Sequence, residues 1–172
     1  RKYRQINHMV ALLEPLFLSL CQRHETVRVL DAGCGSSFLT MLLAWCFRHR
    51  WSQGAEILGV DRNAKIIQRC RERAEMAELE SLLGYKASTL DELDLDASWS
   101  RRFPSSSGRR EVHAVVALHA CDTATDDALA LGLRVGAELI AAAPCCQAEL
   151  AQAWQRLAEE GRFGPEDRIL DV

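Results

Sequence analysis

Stretches with strand-type and helix-type hydrophobic patterns alternate along the chain. Short, nearly continuous apolar runs predict buried strands, and apolar residues that recur every three or four positions predict helices. The predicted strands are 27–31, 56–61, 82–87, 112–118 and 137–143, and the predicted helices are 6–20, 38–47, 63–78, 123–133 and 149–159. Because a strand, a helix and a further strand form a right-handed crossover, this order predicts a parallel α/β sheet covered on both faces.

Several local features of this pattern are specific enough to test. Pro15 lies within the first predicted helix and is expected to kink it. The second helix is apolar almost all round, which predicts that it is buried on every side. Asn63 is a typical N-cap for the third helix. Residues 91–110 are acidic and then rich in Ser and Arg, and we expect a loop there.

The length and the amino-acid composition are typical of a single globular domain. The 172 residues are 48% hydrophobic and 26% charged, with a formal net charge of −3. This balance excludes a surface built throughout to neutralise phosphates, although a local basic patch remains compatible with it. The predicted division is an N-terminal helical segment (1–24), a cofactor-binding core (25–160) and the start of a further C-terminal part (161–172). We expect additional C-terminal chain to complete the sheet and to contribute to substrate binding.

The cysteines and the absence of long apolar runs bear on the compartment. Seven cysteines, an odd number, are scattered through apolar segments, which favours reduced thiols. No signal-peptide pattern precedes them, and no apolar run reaches the roughly 20 residues of a membrane span. The prediction is a cytoplasmic protein with no membrane contact.

The residues that follow the first two predicted strands indicate a ligand site. Asp31 and the turn GCGSS follow the first strand, and Asp61 ends the second. Glycines let the backbone turn tightly and approach a ligand, and a carboxylate after the second strand can accept both hydroxyl protons of a ribose. A plain turn and a helix-capping aspartate are the structural alternatives. Phe38 stands where a dinucleotide fingerprint needs a small residue, which argues against a diphosphate and a nicotinamide-dependent reductase.

Four segments together resemble one enzyme family. VLDAGCG and ILGVD resemble motifs I and II of the class I S-adenosylmethionine-dependent methyltransferases. LHACDTATDDAL (118–129) and APCCQ (143–147) resemble a subgroup related to the transfer-RNA acceptor-stem ribose methyltransferases. The resemblance implies a doubly wound, Rossmann-like sheet that lacks its C-terminal strands in this chain. It also implies S-adenosylmethionine as the cofactor and RNA as the substrate.

The same resemblance assigns cofactor-binding roles. Asp31, Gly33 and Gly35 are expected to contact the methionine part of the cofactor. Asp61 is expected to hold the ribose hydroxyls, with Arg62 beside the adenine and the segment after the third strand also touching it. The complete predicted set is Asp31, Gly33, Gly35, Ser36, Asp61, Arg62, Thr89, Leu90 and Leu118.

A second predicted cluster follows strands four and five, which are neighbours in the methyltransferase strand order. The predicted catalytic residues are His119, Cys121, Asp122, Cys145 and Cys146. His119 could accept a proton from the methyl acceptor or orient it, and a hydrogen-bonded core histidine is the alternative. The histidine and cysteine side chains of this cluster could also bind zinc. Adjacent cysteines normally point to opposite sides of a strand, however, so no metal is predicted. Asp126 and Asp127 are assigned to the helix N-terminus rather than to the site.

Two other interpretations stay open at the level of sequence. The acceptor could be a small molecule or a protein instead of RNA. The chain could also be a non-catalytic module that binds the cofactor while a partner carries the activity.

Overall fold

Parallel strands form the centre of the domain in the computed structural model, which describes residues 2–104, 111–118, 123–143, 155–157 and 159–160. The elements in chain order are α1 (Lys2–Arg23), β1 (Thr26–Ala32), α2 (Phe38–Trp45) with a following π-helical turn (Cys46–Arg50), β2 (Gly54–Asp61), α3 (Ala64–Met76), β3 (Leu83–Ala87), α4 (Leu95–Arg102), β4 (Ala114–Leu118), α5 (Thr123–Arg134) and β5 (Leu139–Ala143). The predicted alternation of strands and helices is confirmed over these residues.

The sheet has the order β3-β2-β1-β4-β5, and every pair of neighbours is parallel. β1 pairs with β2 on one side and with β4 on the other, so the direction of winding reverses between β1 and β4. A reversal of this kind opens a crevice at the carboxyl ends of the strands. The doubly wound, Rossmann-like fold predicted from the sequence is confirmed.

Both faces of the sheet are covered by apolar side chains. Along β1, Val27 and Val29 enter a cluster with α1, α2 and α3, whereas Leu30 and Ala32 enter a second cluster with α4 and α5. This division follows from the alternation of side chains along a strand. Burial on both faces explains why the strands read as nearly continuous apolar runs in the sequence.

The expected loop over residues 91–110 is wrong in its first half, because α4 lies there. Asp94 is the N-cap, and its carboxylate accepts a hydrogen bond from the backbone N–H of Ala97 at 2.9 Å. Trp99 is fully buried and donates its indole N–H to Glu56 at 2.7 Å. The helix has few apolar residues, so the hydrophobic pattern was too weak to reveal it; Trp99 and Phe103 supply its packing. Residues 105–110 lie outside the described part of the chain.

The prediction that the second helix is buried all round is also wrong. Phe38 and Trp45 are 43% and 48% exposed, while Leu39, Leu43 and Ala44 are buried. Only one face of α2 packs against the sheet and α1, which leaves the opposite face open despite its apolar composition. α1 is helical through Pro15 from Lys2 to Arg23. Among the described residues, no helix has both the length and the apolarity that crossing a bilayer requires.

Asn63 caps α3 as predicted. Its side-chain oxygen accepts hydrogen bonds from the backbone N–H groups of Lys65 at 3.0 Å and Ile66 at 3.3 Å.

We expect Asn63→Ala to lower the free energy of unfolding by about 1 kcal/mol, because these donors lose their acceptor. Urea denaturation measures the change. Asn63→Ser should lose less stability than Asn63→Ala. Asn7→Ala, on the exposed face of α1, is the control. An equal loss of stability in Asn63→Ala and Asn7→Ala would contradict the cap.

Candidate functional site

A small cavity lies at the carboxyl ends of β1, β2 and β4, beside the point where the winding reverses. Its volume is about 120 Å³, and it is lined by Ile6, Asp31, Gly33, Cys34, Gly35, Ser36, Phe38, Leu39, Asp61 and Leu118. Ligands of doubly wound sheets bind at this position. Most of the predicted cofactor-binding residues are therefore brought together in one place by the fold.

The turn between β1 and α2 has a backbone conformation that requires glycine. Gly33 and Gly35 have φ angles of +74° and +51°, in the left-handed region that other residues rarely adopt. The N–H groups of Gly33 and Cys34 both donate to the carbonyl of Val60, at 2.8 and 2.9 Å, which fastens the turn to the end of β2. Apart from its chain neighbours, no described residue has an atom within 4 Å of the position where a Cβ on Gly35 would stand. The turn thus presents open backbone at the cavity.

Asp31, the last polar residue of β1, is buried at the carboxyl end of that strand. The side chain of Asp31 is 1% exposed, and its Oδ2 accepts a hydrogen bond of 2.6 Å from the hydroxyl of Thr40. Its Oδ1 has no hydrogen-bond partner among the described residues. Burial raises the pKa of Asp31 to about 7, the hydrogen bond from Thr40 lowers it and the charge of Asp61 raises it further. A buried carboxylate with a free oxygen favours a positively charged or hydrogen-bond-donating ligand.

Asp61 joins the glycine turn to the start of α3. Its Oδ2 accepts a hydrogen bond from the N–H of Gly35 at 3.0 Å, and its Oδ1 accepts one from the N–H of Asn63 at 2.8 Å. An ionised carboxylate has about four acceptor positions, so each oxygen retains capacity for one further donor. Asp61 is half-buried and lines the cavity, which leaves it able to accept two hydroxyl protons.

Further hydrogen bonds tie the turn to β3 and α3. The hydroxyl of Ser37, a buried residue at φ +64°, lies 2.5 Å from the hydroxyl of Tyr85 on β3. Arg73 donates to the carbonyl of Ser36 at 3.1 Å, and the thiol of Cys70 donates to the carbonyl of Gly35 at 3.3 Å. Such contacts hold the turn in one geometry before any ligand is present.

The thiols of Cys34 and Cys70 both face the carbonyl of Gly35. The interaction between the two thiols raises the pKa of Cys34, which burial raises further, and lowers the pKa of Cys70. The four cysteines in the described part of the chain, Cys21, Cys34, Cys46 and Cys70, are all free thiols, as predicted.

Three predicted cofactor residues do not line the cavity. Arg62 is exposed directly after β2, and Thr89 donates its hydroxyl to Glu92 at 3.0 Å. Leu90 packs against the core on the α4 side of the sheet. The N–H of Ser88 nevertheless donates to the carbonyl of Asp61 at 3.1 Å, so the segment that follows β3 runs beside the site. The adenine contacts of these residues stay predictions.

The predicted catalytic residues fall outside the described part of the chain. This applies to His119, Cys121, Asp122, Cys145 and Cys146. The described residues just before the two segments, Leu118 and Ala143, pair with each other at the adjacent ends of β4 and β5. The expected neighbourhood of the two strand ends is confirmed, and the catalytic roles stay predictions. Among the described residues, no group of three or more His, Cys, Asp or Glu side chains could hold a metal ion.

Sequence reasoning missed several residues of the site. Thr40 is the one polar residue between Phe38 and Trp45, and a polar residue in so apolar a helix could have indicated a buried partner. Ile6 of α1 and Leu39 of α2 also line the cavity. The apolar stripe of α1 predicted that Ile6 is buried, but not which end of the sheet it covers.

Two larger grooves lie elsewhere in the described part of the molecule. One of about 700 Å³ includes Asp94, Glu111 and His113 near the start of β4, and one of about 830 Å³ follows the outer edge of β3. Neither is lined by the glycine turn or by Asp31, the residue with the unsatisfied buried oxygen. We therefore assign the functional site to the smaller cavity.

The solved structures to which this chain is similar share little sequence with it. Coclaurine N-methyltransferase bound to N-methylheliamine and SAH is 15% identical, with a TM-score of 0.41 over 64% of this chain and 27% of that one. The cyclase SpnF is 17% identical, with a TM-score of 0.48 over 69% and 39%. An rRNA methylase from Streptococcus thermophilus is 14% identical, with a TM-score of 0.45 over 64% and 55%. The chain thus spans between 27% and 55% of the length of these structures.

The match to a protein-family model covers more of the chain than the matches to solved structures do. A search of curated proteins found no significant match. A family model described as "Methyltransferase domain" matches residues 1–153, which include α1, the sheet and the glycine turn. The chain belongs to this methyltransferase-domain family.

Proposed function

We propose that this domain binds S-adenosylmethionine in the cavity at the ends of β1, β2 and β4 and transfers its methyl group to an acceptor. The observation that carries the proposal is the buried Oδ1 of Asp31, which has no hydrogen-bond partner in the described part of the chain and lies at the same strand end as the open glycine turn. A neutral sugar or a diphosphate would leave this carboxylate without a matching charge. An ammonium group would supply both a charge and a donor.

The residues present fit the chemical groups of this cofactor. Asp31 would hold the ammonium group of the methionine part, and Asp61 would accept the two ribose hydroxyls while it retains its backbone contacts. Gly33 and Gly35 would let the backbone approach the ligand without a side chain between them. The cofactor supplies a methyl group that is made electrophilic by a positively charged sulfur.

The chain itself would contribute position and exclusion of water. Methyl transfer requires the donor and acceptor to be aligned, and alignment alone can account for much of the rate. Phe38 and Leu118 line the cavity and would shield its contents from solvent. The resemblance of segment 118–129 supports a role for His119 in accepting a proton from the acceptor or in orienting it.

We propose RNA as the acceptor. The support is the resemblance of segments 118–129 and 143–147 to the transfer-RNA ribose methyltransferases. The net charge of −3 adds no electrostatic support, since RNA binding depends on cationic surface. Transfer of a labelled methyl group to total RNA tests this at low salt, with a protein extract and a small-molecule fraction as parallel acceptors. A labelled protein or small-molecule fraction with unlabelled RNA would show that RNA is not the acceptor and would identify the acceptor class. Cofactor binding without methyl transfer to any fraction would favour a non-catalytic module.

Asp61→Asn is expected to weaken the binding of S-adenosylhomocysteine by about 2 kcal/mol, which is roughly 30-fold. The amide keeps the size of the side chain but offers one acceptor oxygen and no charge, and hydrogen bonds to charged groups contribute about 1.5–3 kcal/mol. Isothermal titration calorimetry measures the change. Asp94→Asn is the matched control, because Asn caps a helix as well as Asp does and α4 lies away from the cavity. Unchanged affinity in Asp61→Asn would remove this residue from the ligand site.

A further inference from the structure

The hydroxyl of Thr40 has a partner that the sequence of α2 does not reveal. Thr40 is fully buried, and apart from it the helix Phe38–Trp45 is composed of apolar residues. A helical threonine commonly bonds to a carbonyl of its own helix. Here it donates across to β1, to Oδ2 of Asp31 at 2.6 Å. Valine has nearly the same shape, so packing alone does not explain a hydroxyl at this position.

This hydrogen bond fixes how the carboxylate of Asp31 is oriented. With Oδ2 held by α2, the plane of the carboxylate is set, and Oδ1 remains without a partner among the described residues. Asp31 also lines the cavity with Gly33 and Leu118. We propose that Thr40 is a positioning residue that directs the free oxygen of Asp31 at the ammonium group of the ligand. This inference rests on the proposed function, because the ligand is the one named there.

The contact also has an electrostatic consequence. Burial raises the pKa of Asp31 to about 7, and the bond from Thr40 opposes that rise because it stabilises the ionised form. Among the described residues, the other titratable groups that interact with Asp31 are Asp61 on β2, Cys34 in the glycine turn and Tyr85 on β3. None of these changes when Thr40 is replaced. Loss of the hydroxyl should therefore move the pKa of Asp31 upward.

The test compares Thr40→Val with Thr40→Ser in the 172-residue chain. The affinity for S-adenosylhomocysteine is measured by calorimetry from pH 6 to pH 9. We expect Thr40→Val to bind about tenfold more weakly at pH 7 and to recover part of this loss at pH 9, since Asp31 then ionises without help. Thr40→Ser keeps the donor and should bind like the wild type. Thr26→Val, at the opposite end of β1, is the control.

A second measurement does not depend on the ligand. The side-chain carboxyl of Asp31 is titrated by carbon NMR in the unliganded protein, and its resonance is assigned by its absence in Asp31→Asn. Its pKa should rise in Thr40→Val and stay unchanged in Thr40→Ser. If the valine variant does not fold, Thr40→Ala takes its place.

The outcomes separate the two proposals. Equal losses of affinity in the serine and valine variants, a pH profile lowered in parallel, or an unchanged pKa of Asp31 would each overturn the role of Thr40. A wild-type protein that does not bind S-adenosylhomocysteine would overturn the proposed function. The NMR titration would then still decide whether Thr40 controls the ionisation of Asp31.

Discussion

Asp31→Asn is expected to weaken the binding of S-adenosylhomocysteine by at least ~30-fold and to stabilise the unliganded domain at pH 8. The loss of binding follows because the ammonium group loses its charged partner, and hydrogen bonds to charged groups contribute about 1.5–3 kcal/mol. The gain in stability follows because asparagine is never ionised. In the wild type, a buried carboxylate must carry its charge above pH 7.

The pH dependence has a defined sign. The folded state keeps the proton of Asp31 up to its pKa of about 7, whereas the unfolded chain releases it near the ordinary value of 3.8. Between these values the folded state binds more protons, so the free energy of unfolding falls as pH rises and levels off above 7. The contribution of Asp31 to the whole fall is on the order of 4 kcal/mol, since one unit of pKa difference corresponds to about 1.4 kcal/mol.

Urea denaturation at pH 5 and pH 8 measures this fall. Between pH 5 and pH 8, the free energy of unfolding should fall by more in the wild type than in Asp31→Asn. The fall in Asp94→Asn should equal that in the wild type. Affinity for the ligand should rise with pH through about 7 in the wild type, because the ionised form of Asp31 binds it. An asparagine variant that keeps wild-type affinity and the wild-type pH dependence of stability would contradict both the burial and the role of this carboxylate.

Phe17→Ala is expected to lower the free energy of unfolding by about 3–5 kcal/mol, the range for truncating a fully buried aromatic residue. The ring of Phe17 is 0% exposed and lies 5.7 Å, centroid to centroid, from both Phe47 and Trp51, edge-on to the first and stacked on the second. These contacts join α1 to the segment that follows α2. Since Ile6 on the same helix lines the cavity, the variant should also bind S-adenosylhomocysteine more weakly.

Thermal and urea denaturation test this prediction. Leu16→Ala is the matched control, because Leu16 is the neighbouring residue of α1 and is 48% exposed. It should lose less than about 1 kcal/mol, since little of its surface is removed from water on folding. A loss in Phe17→Ala no greater than in Leu16→Ala would show that α1 is not packed as part of the domain.

The sequence predicted the elements that carry a strong hydrophobic signal. Strands β1, β2 and β4 are nearly continuous apolar runs, and α3 combines a regular apolar stripe with the cap at Asn63. The sequence did not predict α4, because this short helix depends on Trp99 and Phe103 for its packing. The sequence also misled at α2, where the apolar composition did not imply that Phe38 is buried. In both cases the missing information is which neighbour covers which face.

The order of the elements, the glycine turn after β1 and the carboxylates that end β1 and β2 were determined by the sequence alone. They depend on local periodicity and on the backbone conformations that glycine permits. Only the tertiary structure decided what each carboxylate does. Thr40 reaches Asp31 because α2 folds back over the end of β1, and Asp61 reaches Gly35, 26 positions earlier in the chain, because β1 and β2 are paired neighbours in the sheet. Which oxygen of Asp31 has no partner within the described residues depends on all of these contacts together, and no local pattern in the chain specifies it.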